Sequence, residues 1–321
     1  MKLVRLLLCA VVALAIVPAV AADAYPSKPI RLFVGYPPGG AVDVVARTVG
    51  QQLATVLGQP VVVENKPGAN TNIAIRALID SPPDGYTIML TANALASNPA
   101  LYKPAPFDPE RDVTPVSGVG RVPVVIAANS GSEFTSLAKL VEVAKAKPGT
   151  VNYATPGNGS TPHLAVELFA RAAGVKLSHI PYKGGAPAIT DVLGGQLPLV
   201  AVNALEVLPH VKAGKLRVLA VMSPARSPML PDTPTIAESG YPGFEASVWY
   251  GVIAPPKTPA DVVGKLHAAV QKALESGEVQ KKISAVGGEV TPGTTAQFAA
   301  LVHDERVRYD KLVREADIRA D

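Results

Sequence analysis

The chain has 321 residues, of which 48% are hydrophobic and 17% are charged, and it carries a formal net charge of +4. This composition excludes an intrinsically disordered protein, and the length is enough for one large domain or two ordinary ones. The small positive charge, without a cluster of Lys and Arg interleaved with aromatic residues, predicts no nucleic-acid partner.

The N-terminus has the pattern of a secretory signal peptide. Two basic residues precede an apolar run over residues 6–17, and the mostly small residues 18–22 that follow are typical of a signal peptidase site. The apolar run is too short for a membrane span. We therefore predict a signal peptide over residues 1–22, cleaved near Ala21 to Ala24, and an exported, soluble mature protein.

The first part of the mature chain alternates strands and helices. Apolar and β-branched runs predict the strands, and apolar residues at helical spacing predict the helices. The predicted strands are Ile30–Val34, Val61–Val63 and Tyr86–Leu90, and the predicted helices run from Val42 to a cap at Gly58 and over Ile73–Ile79. This βαβαβ order predicts a parallel, doubly wound sheet.

The same alternation restarts after Arg121 and predicts a second α/β unit. The predicted strands are Val122–Ala127, Val151–Tyr153, Lys176–Ile180, Leu197–Val202 and Leu216–Val221. The predicted helices are Ser136–Lys145, Pro162–Ala173, Ala186–Leu193 and Leu205–Ala213, with glycines at several helix ends.

The end of the chain has too few strands for an independent domain. Residues 228–259 are rich in loop residues, with a short predicted helix and one predicted strand, and helices follow from Ala260, Glu278 and Ala296. We expect this part to return to the first unit. The predicted plan is a lobe of residues 23–121 with 228–321, a lobe of residues 122–227, crossovers near Gly118–Val125 and Leu219–Ser227, and a cleft between the lobes.

Four loops that contain glycines or small polar residues follow predicted strands. They are YPPGGAVD, TANALASN, ATPGNGSTPH and PYKGGAPAITD. Ligands of open parallel sheets bind at this edge, and the first turn of a helix leaves backbone amides free for an anion. A tight turn or an ordinary helix N-cap is the alternative for each loop taken alone.

Several side chains in or near these loops have two interpretations. Asp43 either orders the adjacent glycine loop, which we favour, or binds a ligand ammonium group directly. His163 is better explained as a structural residue than as a metal ligand or catalyst. Lys183 is either a rim charge for an anion or simply solvated, and Trp249 and Tyr250 either line the cleft or pack in the core.

The sequence predicts no catalytic, metal or cofactor site. The only cysteine, Cys9, lies in the predicted leader, and the histidines lack the spacing of zinc ligands. The Gly-x-Ser-x-Gly and Walker patterns are absent, and GNGSTP and GVGRVP match only part of the dinucleotide-binding pattern. An exported α/β enzyme that uses Asp43, Ser160 or His163 on a small carboxylic acid remains an alternative.

Longer blocks of the sequence occur in an order typical of one receptor family. The blocks are YPSKPIRLFVGYPPGGAVDVVAR, VVVENKPGANTNIA, SPPDGYTIML, YATPGNGSTPHLAVELF, PYKGGAPAITDVLGGQ, GKLRVLAV, PTIAESGYPGFEASVWYGVIAPPKTP and VVGKLHAAV. Together they cover nearly the whole mature chain, which resembles the Bug-type substrate-binding receptors of tripartite tricarboxylate transporters.

This resemblance implies a type II periplasmic-binding-protein fold, an α/β architecture with two doubly wound lobes, two crossover strands and a ligand cleft. It implies a monomer in the periplasm that closes on a small carboxylate, including aromatic and dicarboxylic acids, and delivers it to membrane permease subunits. The loops Tyr36–Asp43 and Thr155–His163 are then expected to hold the carboxylate through backbone amides and small hydroxyls. A receptor that signals to a sensor kinase remains open as an alternative.

On this basis we predict a ligand-binding set drawn from all the strand-end loops. The residues are Tyr36, Pro38, Gly39, Gly40, Ala41, Asp43, Thr91, Asn93, Thr155, Gly157, Asn158, Gly159, Ser160, Thr161, His163, Tyr182, Lys183, Gly184 and Asn203. The chain departs from the family pattern at Asn70–Asn72, at Pro198–Leu199, and at Asn203–Ala204, where an acidic residue is common. The loss of that acid predicts a ligand without an ammonium group.

Overall fold

The computed structural model describes residues 25–285, 287–316 and 318–319. The predicted signal peptide, its cleavage region and Cys9 lie outside these residues. None of the helices in the described part of the chain combines the length and the apolar character that crossing a bilayer requires.

The described residues contain ten strands and ten α-helices. The strands are β1 (Ile30–Val34), β2 (Val61–Asn65), β3 (Thr87–Thr91), β4 (Thr114–Asn129), β5 (Asn152–Thr155), β6 (Ser178–Pro181), β7 (Leu199–Asn203), β8 (Leu216–Val221), β9 (Ser247–Ala254) and β10 (Glu289–Val290). The helices are α1 (Ala41–Leu57), α2 (Asn72–Ile79), α3 (Ala94–Leu101), α4 (Leu137–Ala146), α5 (Thr161–Ala173), α6 (Gly185–Leu193), α7 (Ala204–Lys212), α8 (Ala260–Leu274), α9 (Gly277–Ala285) and α10 (Thr295–Ala316). A short 3₁₀ turn, Ala69–Thr71, precedes α2.

The strands form one curled sheet in the order β2-β1-β3-β9-β4-β7-β5-β6, with β8 and β10 also paired to β4. The prediction of parallel pairing is confirmed for β1 with β2 and β3, and for β5 with β6 and β7. The strands that cross between the two parts of the sheet pair differently: β9 runs antiparallel to β3 and β4, and β4 runs antiparallel to β7 and β8.

β4 connects the two parts of the sheet. Its first ten residues, Thr114–Pro123, pair with β9, and its last residues pair with β7 on one side and β8 on the other. The sequence predicted only Val122–Ala127 as strand, and the crossover expected near Gly118–Val125 therefore lies within β4. Because this 16-residue strand is hydrogen-bonded to strands of both parts, it joins them into one sheet.

The return from β8 to β9 is long and follows the second part of the sheet before it crosses back. The amide of Val221 donates to the carbonyl of Pro234 at 3.0 Å, and the amide of Ile236 donates to the carbonyl of Val221 at 2.9 Å. Ala246 then donates to the carbonyl of Met222 at 2.8 Å, immediately before β9 begins.

The C-terminal helices pack on the first part of the sheet. α8 and α9 lie against α1, whose apolar face was predicted from its helical spacing and is buried, and α10 lies across α3. α3 was not predicted, since its sequence was interpreted as loop, and Pro99 lies inside it. Its seven buried residues show that packing against α10 stabilises a segment with little helical amphipathicity of its own.

Candidate functional site

One cavity of about 660 Å³ lies where the loops after β1, β5, β6 and β7 meet. This volume suits a small organic molecule. The predicted site residues that line it are Tyr36, Pro38, Gly39, Gly40, Ala41, Gly159, Ser160, Thr161, Gly184 and Asn203. The predicted residues outside the lining are Asp43, Thr91, Asn93, Thr155, Gly157, Asn158, His163, Tyr182 and Lys183.

Four helices begin at this cavity. Gly40, Ser160, Gly184 and Asn203 are the N-cap residues of α1, α5, α6 and α7, and all four line the cavity wall. The first turn of each helix has amides without intrahelical acceptors and a partial positive charge. The fold therefore directs several sources of positive potential at one enclosed space.

Asp43 holds the loop between β1 and α1 from behind. Its carboxylate accepts hydrogen bonds from the Gly39 amide at 2.9 Å, from Arg47 at 2.9 Å and from Asn65 Nδ2 at 2.8 Å. Asn65 Nδ2 also donates to the Tyr36 carbonyl at 3.0 Å. Burial raises the pKa of Asp43, but these hydrogen bonds outweigh it and hold the pKa below its ordinary value. Asp43 thus orders the loop, as we favoured.

The conformation of this loop leaves the α1 amides accessible. Gly39 has a φ of +88°, a backbone region that side chains other than glycine rarely adopt, and the turn depends on it. Gly40 is extended, at φ −77° and ψ 169°, and as a glycine it has no side chain that could cap the helix. The first amides of α1 therefore face the cavity without a protein side chain in their place.

His163 performs the equivalent task for the loop between β5 and α5. Its Nδ1 accepts a hydrogen bond from the Gly159 amide at 3.0 Å, and its own amide donates to the Ser160 hydroxyl at 3.4 Å. Its ring stacks on His179 at 3.7 Å, and His179 Nε2 lies 2.6 Å from Thr155 Oγ1. Because Nδ1 is an acceptor, the ring carries its proton on Nε2.

The electrostatic environment of His163 keeps its ring neutral. Burial, and to a smaller extent the neighbouring His179, together lower the pKa of His163 to about 3. A neutral imidazole with its acceptor nitrogen used by Gly159 cannot serve as a metal ligand through that atom. The structural interpretation of His163 matches this geometry.

The remaining predicted residues outside the lining support neighbouring elements. Asn93 bridges α3 to β9, since its Nδ2 donates to the Ser247 carbonyl at 3.0 Å and its Oδ1 accepts from the Trp249 amide at 3.0 Å. Tyr182 donates to Asp191 at 2.5 Å, and Lys183 is exposed. Thr91 and Thr155 are buried, and Gly157 and Asn158 are half-buried in the loop before α5.

Trp249 and Tyr250 of β9, for which a cleft position and a core position were both left open, take different positions. Tyr250 lines the cavity, whereas Trp249 packs edge to face against Phe298 of α10, with ring centroids 5.6 Å apart. The alternation of side chains along a strand explains the split, because adjacent residues point to opposite faces. Tyr250 is buried, and its pKa is raised by that burial and by the nearby Tyr36 and Glu206.

Glu206 is the one charged residue that the described chain contributes to this lining, and the sequence interpretation missed it. It is the third residue of α7, and its Oε1 accepts from the Asn203 amide at 3.3 Å and from Asn203 Nδ2 at 3.1 Å. Burial raises the pKa of Glu206, and the two hydrogen bonds from Asn203 oppose that rise. The premise that the cleft lost its acidic group is therefore wrong. The available signal was the Asn-x-x-Glu capping pattern at the start of a predicted helix.

The rest of the lining is mostly apolar and lacks cationic side chains. Within the described chain, no Lys, Arg or His contributes to the cavity wall, which includes prolines, Val42, Val44, Leu205 and Val248. Asn70, Ser97, Ser160 and Thr161 add neutral polar groups. An anion in this cavity is therefore met by backbone amides and hydroxyls, not by a formal positive charge.

The side chains proposed for the enzyme alternative do not form a catalytic set. Asp43 bonds to its own loop, while Ser160 and His163 together cap α5. Across the residues that the structure describes, no three His, Cys, Asp or Glu residues are placed to hold a metal ion. The arrangement is suited to binding a solute between preformed loops.

Comparison with known proteins identifies the family. The profile of the TctC family, described as a tripartite tricarboxylate transporter family receptor, matches residues 45–318. Protein BugT of Bordetella pertussis is 40% identical over 298 residues, which cover 92% of this chain and 91% of BugT.

Two similar solved structures contain ligands. The R. palustris protein Rpa4515 with adipate is 34% identical, with a TM-score of 0.79 and coverage of 92% of this chain and 100% of that one. MatC from Rhodopseudomonas palustris with bound malate is 29% identical, with a TM-score of 0.77 and coverage of 90% and 100%. The resemblance to Bug-type receptors is thereby confirmed, and so is the α/β periplasmic-binding-protein fold. The chain belongs to the TctC family of tripartite tricarboxylate transporter receptors, and it is a solute-binding receptor, not an enzyme.

Proposed function

We propose that this receptor captures a small carboxylate in the 660 Å³ cavity and delivers it to the membrane subunits of a tripartite tricarboxylate transporter. The observation that carries the proposal is the convergence of two glycine-containing loops, each followed by a helix N-terminus, on one cavity. The adipate and malate bound to the two similar structures support the same class of ligand.

In this proposal the ligand carboxylate lies between the start of α1 and the start of α5. The amides near Gly40 and near Ser160 are the donors, with the Ser160 and Thr161 hydroxyls beside them. Charge-assisted hydrogen bonds to backbone amides are strong because the acceptor is ionised. Pro37 and Pro38 stiffen the first loop, which lowers the entropy that binding must remove.

We further propose that ligand binding closes two lobes, residues 23–121 with 228–321 and residues 122–227, about the crossover strands. β4 is one crossover, and the chain near Met222 and Ala246 is the other. The predicted boundaries place residues 228–246 in the first lobe, but this segment bonds to Val221 of β8. We therefore expect residues 228–246 to move with the second lobe, which shifts that boundary to the start of β9. Small-angle scattering with and without ligand tests this, since closure reduces the radius of gyration.

Thermal-shift screening followed by calorimetric titration tests the carboxylate proposal. The panel contains mono-, di- and tricarboxylates, aromatic acids included, with the corresponding amides or methyl esters as matched uncharged controls. A ligand at 100 times its Kd stabilises the folded state by about 2.7 kcal/mol, which is readily measured. Binding of acids but not of their amides supports the proposal. Silence across the whole panel, or equal binding of the amides, contradicts it.

Export, transport and assembly state are tested separately. We propose a periplasmic monomer released by cleavage near Ala21 to Ala24. Mass spectrometry of the mature N-terminus from a periplasmic extract checks the cleavage, and light scattering coupled to size-exclusion chromatography checks the monomer. Loss of uptake of the identified acid on deletion of the gene supports delivery to a transporter. Unchanged uptake with altered gene expression would instead favour signalling.

A further inference from the structure

The cavity wall carries a negative charge that the carboxylate-binding loops do not explain. Glu206 lies in the wall formed by α6 and α7, together with Asn203, Gly184 and Gly185. Glu206 Oε1 already accepts two hydrogen bonds from Asn203. Its other oxygen, Oε2, makes no hydrogen bond to any residue in the ranges that the structure describes.

Glu206 Oε2 is held against the start of α6. A Cβ atom added at Gly185 would overlap Oε2, so the absence of a side chain at Gly185 is what admits the carboxylate there. The partial positive charge at the start of α6 is thus met by a protein carboxylate. A second anionic group of a ligand would find that helix end already occupied by negative charge.

Asn203 does not add a second acceptor for a ligand. Its Oδ1 faces the Glu206 amide in the capping box of α7, without full hydrogen-bond geometry, and it is buried away from the cavity. Glu206 Oε2 is therefore the acceptor that this part of the wall offers, and it favours a ligand group that donates a charge-assisted hydrogen bond.

The starts of α1 and α5 have the reverse character. α5 has no acidic residue in its first turn, and the acidic residue of α1, Asp43, is paired with Arg47 and lies outside the lining. The amides at the starts of α1 and α5 are consequently the ones left for a ligand anion. The cavity wall therefore combines amide donors with one carboxylate acceptor, Glu206 Oε2.

We infer that Glu206 is a specificity-determining residue that selects carboxylates that also carry an ammonium group, with a hydroxyl as the weaker alternative, and disfavours dicarboxylates. This rests on the proposed carboxylate capture and names its ligand class. An ammonium group donates to Glu206 Oε2 and neutralises its half-buried charge, whereas a second carboxylate is repelled by Glu206.

Two matched ligand series test the inference by calorimetric titration near neutral pH. The longer series is 6-aminohexanoate, 6-hydroxyhexanoate, hexanoate and adipate, and the shorter is 4-aminobutanoate, 4-hydroxybutanoate, butanoate and succinate. In the series that fits the cavity, the amino acid is expected to bind at least about tenfold more tightly than the dicarboxylate, the effect of one charge-assisted hydrogen bond. Glu206→Gln keeps the Oε1 acceptor for Asn203 and is expected to reduce or reverse that preference.

Glu275→Gln is the matched control. Glu275 is exposed at the end of α8, so this substitution removes the same charge at a position away from the cavity. It is expected to leave the preference unchanged. Tighter binding of the dicarboxylate to the wild type, or the same preference in Glu206→Gln, overturns the inference while carboxylate capture stands. Failure of every acid in both series and in the wider panel overturns capture as well. If Glu206→Gln does not fold, the wild-type preference alone decides.

Discussion

Replacing Gly40 with valine separates binding from folding at the loop between β1 and α1. Gly40 has φ −77° and ψ 169°, which is ordinary extended backbone, and the nearest atom to an added Cβ is the Pro37 carbonyl oxygen at 3.9 Å. Valine therefore fits without strain in the empty receptor. We expect the free energy of unfolding to change by no more than about 1 kcal/mol.

The same side chain enters the space in front of the α1 amides. Gly40 lines the cavity, and the carboxylate is proposed to lie against the amides that follow it. Each charge-assisted hydrogen bond lost costs about 1.5–3 kcal/mol, and 1.4 kcal/mol corresponds to a factor of ten in Kd. Gly40→Val is therefore expected to weaken carboxylate binding about tenfold or more for each bond that it blocks.

Calorimetric titration with the tightest acid of the panel gives the affinity, and urea unfolding gives the stability. Gly264→Val is the control, because Gly264 is exposed on α8 and an added Cβ there meets no atom within 4 Å. The control should bind as the wild type does. A folded Gly40→Val protein with unchanged affinity would remove this loop from the binding site and refute the reasoning.

Three further predictions concern the supports of the site and the core. Asp43→Ala leaves the Gly39 amide without its acceptor and is expected to lower the free energy of unfolding by about 1–3 kcal/mol and to weaken acid binding, measured by urea unfolding and titration. The pKa of His163 is about 3 in the folded protein and near 6.5 in the unfolded chain. The neutral ring therefore contributes fully to stability above about pH 6.5. As the pH falls from about 6.5 toward 3, the free energy of unfolding decreases by up to about 1.4 kcal/mol per pH unit. His163→Asn should show a correspondingly shallower loss in acid, and identical pH profiles would contradict the buried neutral ring. Gly251→Ala places a Cβ inside the Phe298 ring and should destabilise the fold by about 1–3 kcal/mol in urea unfolding, whereas a neutral effect would mean that α10 shifts freely.

Apolar patterns in the sequence predicted most of the strands and helices, because the apolar residues of these patterns are the ones that the structure buries. The strand Ile30–Val34 has an almost wholly buried pattern, and α1 buries its apolar face and ends at Gly58 in the left-handed region. Periodicity identified these elements without tertiary information. It missed α3, whose residues are buried on nearly all sides, because a helix stabilised by surrounding contacts has no polar face to mark it.

The site was predictable only in part, for a related reason. Glycines and caps at strand ends indicated which loops face the cavity, since those loops use special backbone conformations. The signals for Glu206 and Tyr250 did not decide their positions, because an Asn-x-x-Glu pattern is also that of an ordinary helix cap and Tyr250 lies in an apolar strand that fits a core position equally well. Their place in the cavity depends on how α7 and β9 meet loops that are distant in sequence.

The side chains with reactive groups act mainly behind the cavity wall. Asp43 fixes the loop before α1, and His163 fixes the loop before α5, so that backbone amides form the surface presented to the ligand. In the proposed mode of binding, these supports set the geometry of an anion site from outside the cavity lining. A substitution at Glu206, in contrast, changes the charge of the cavity wall while those loops remain in place. We therefore expect the affinity for a carboxylate and the choice among carboxylates to depend on separate residues in this receptor.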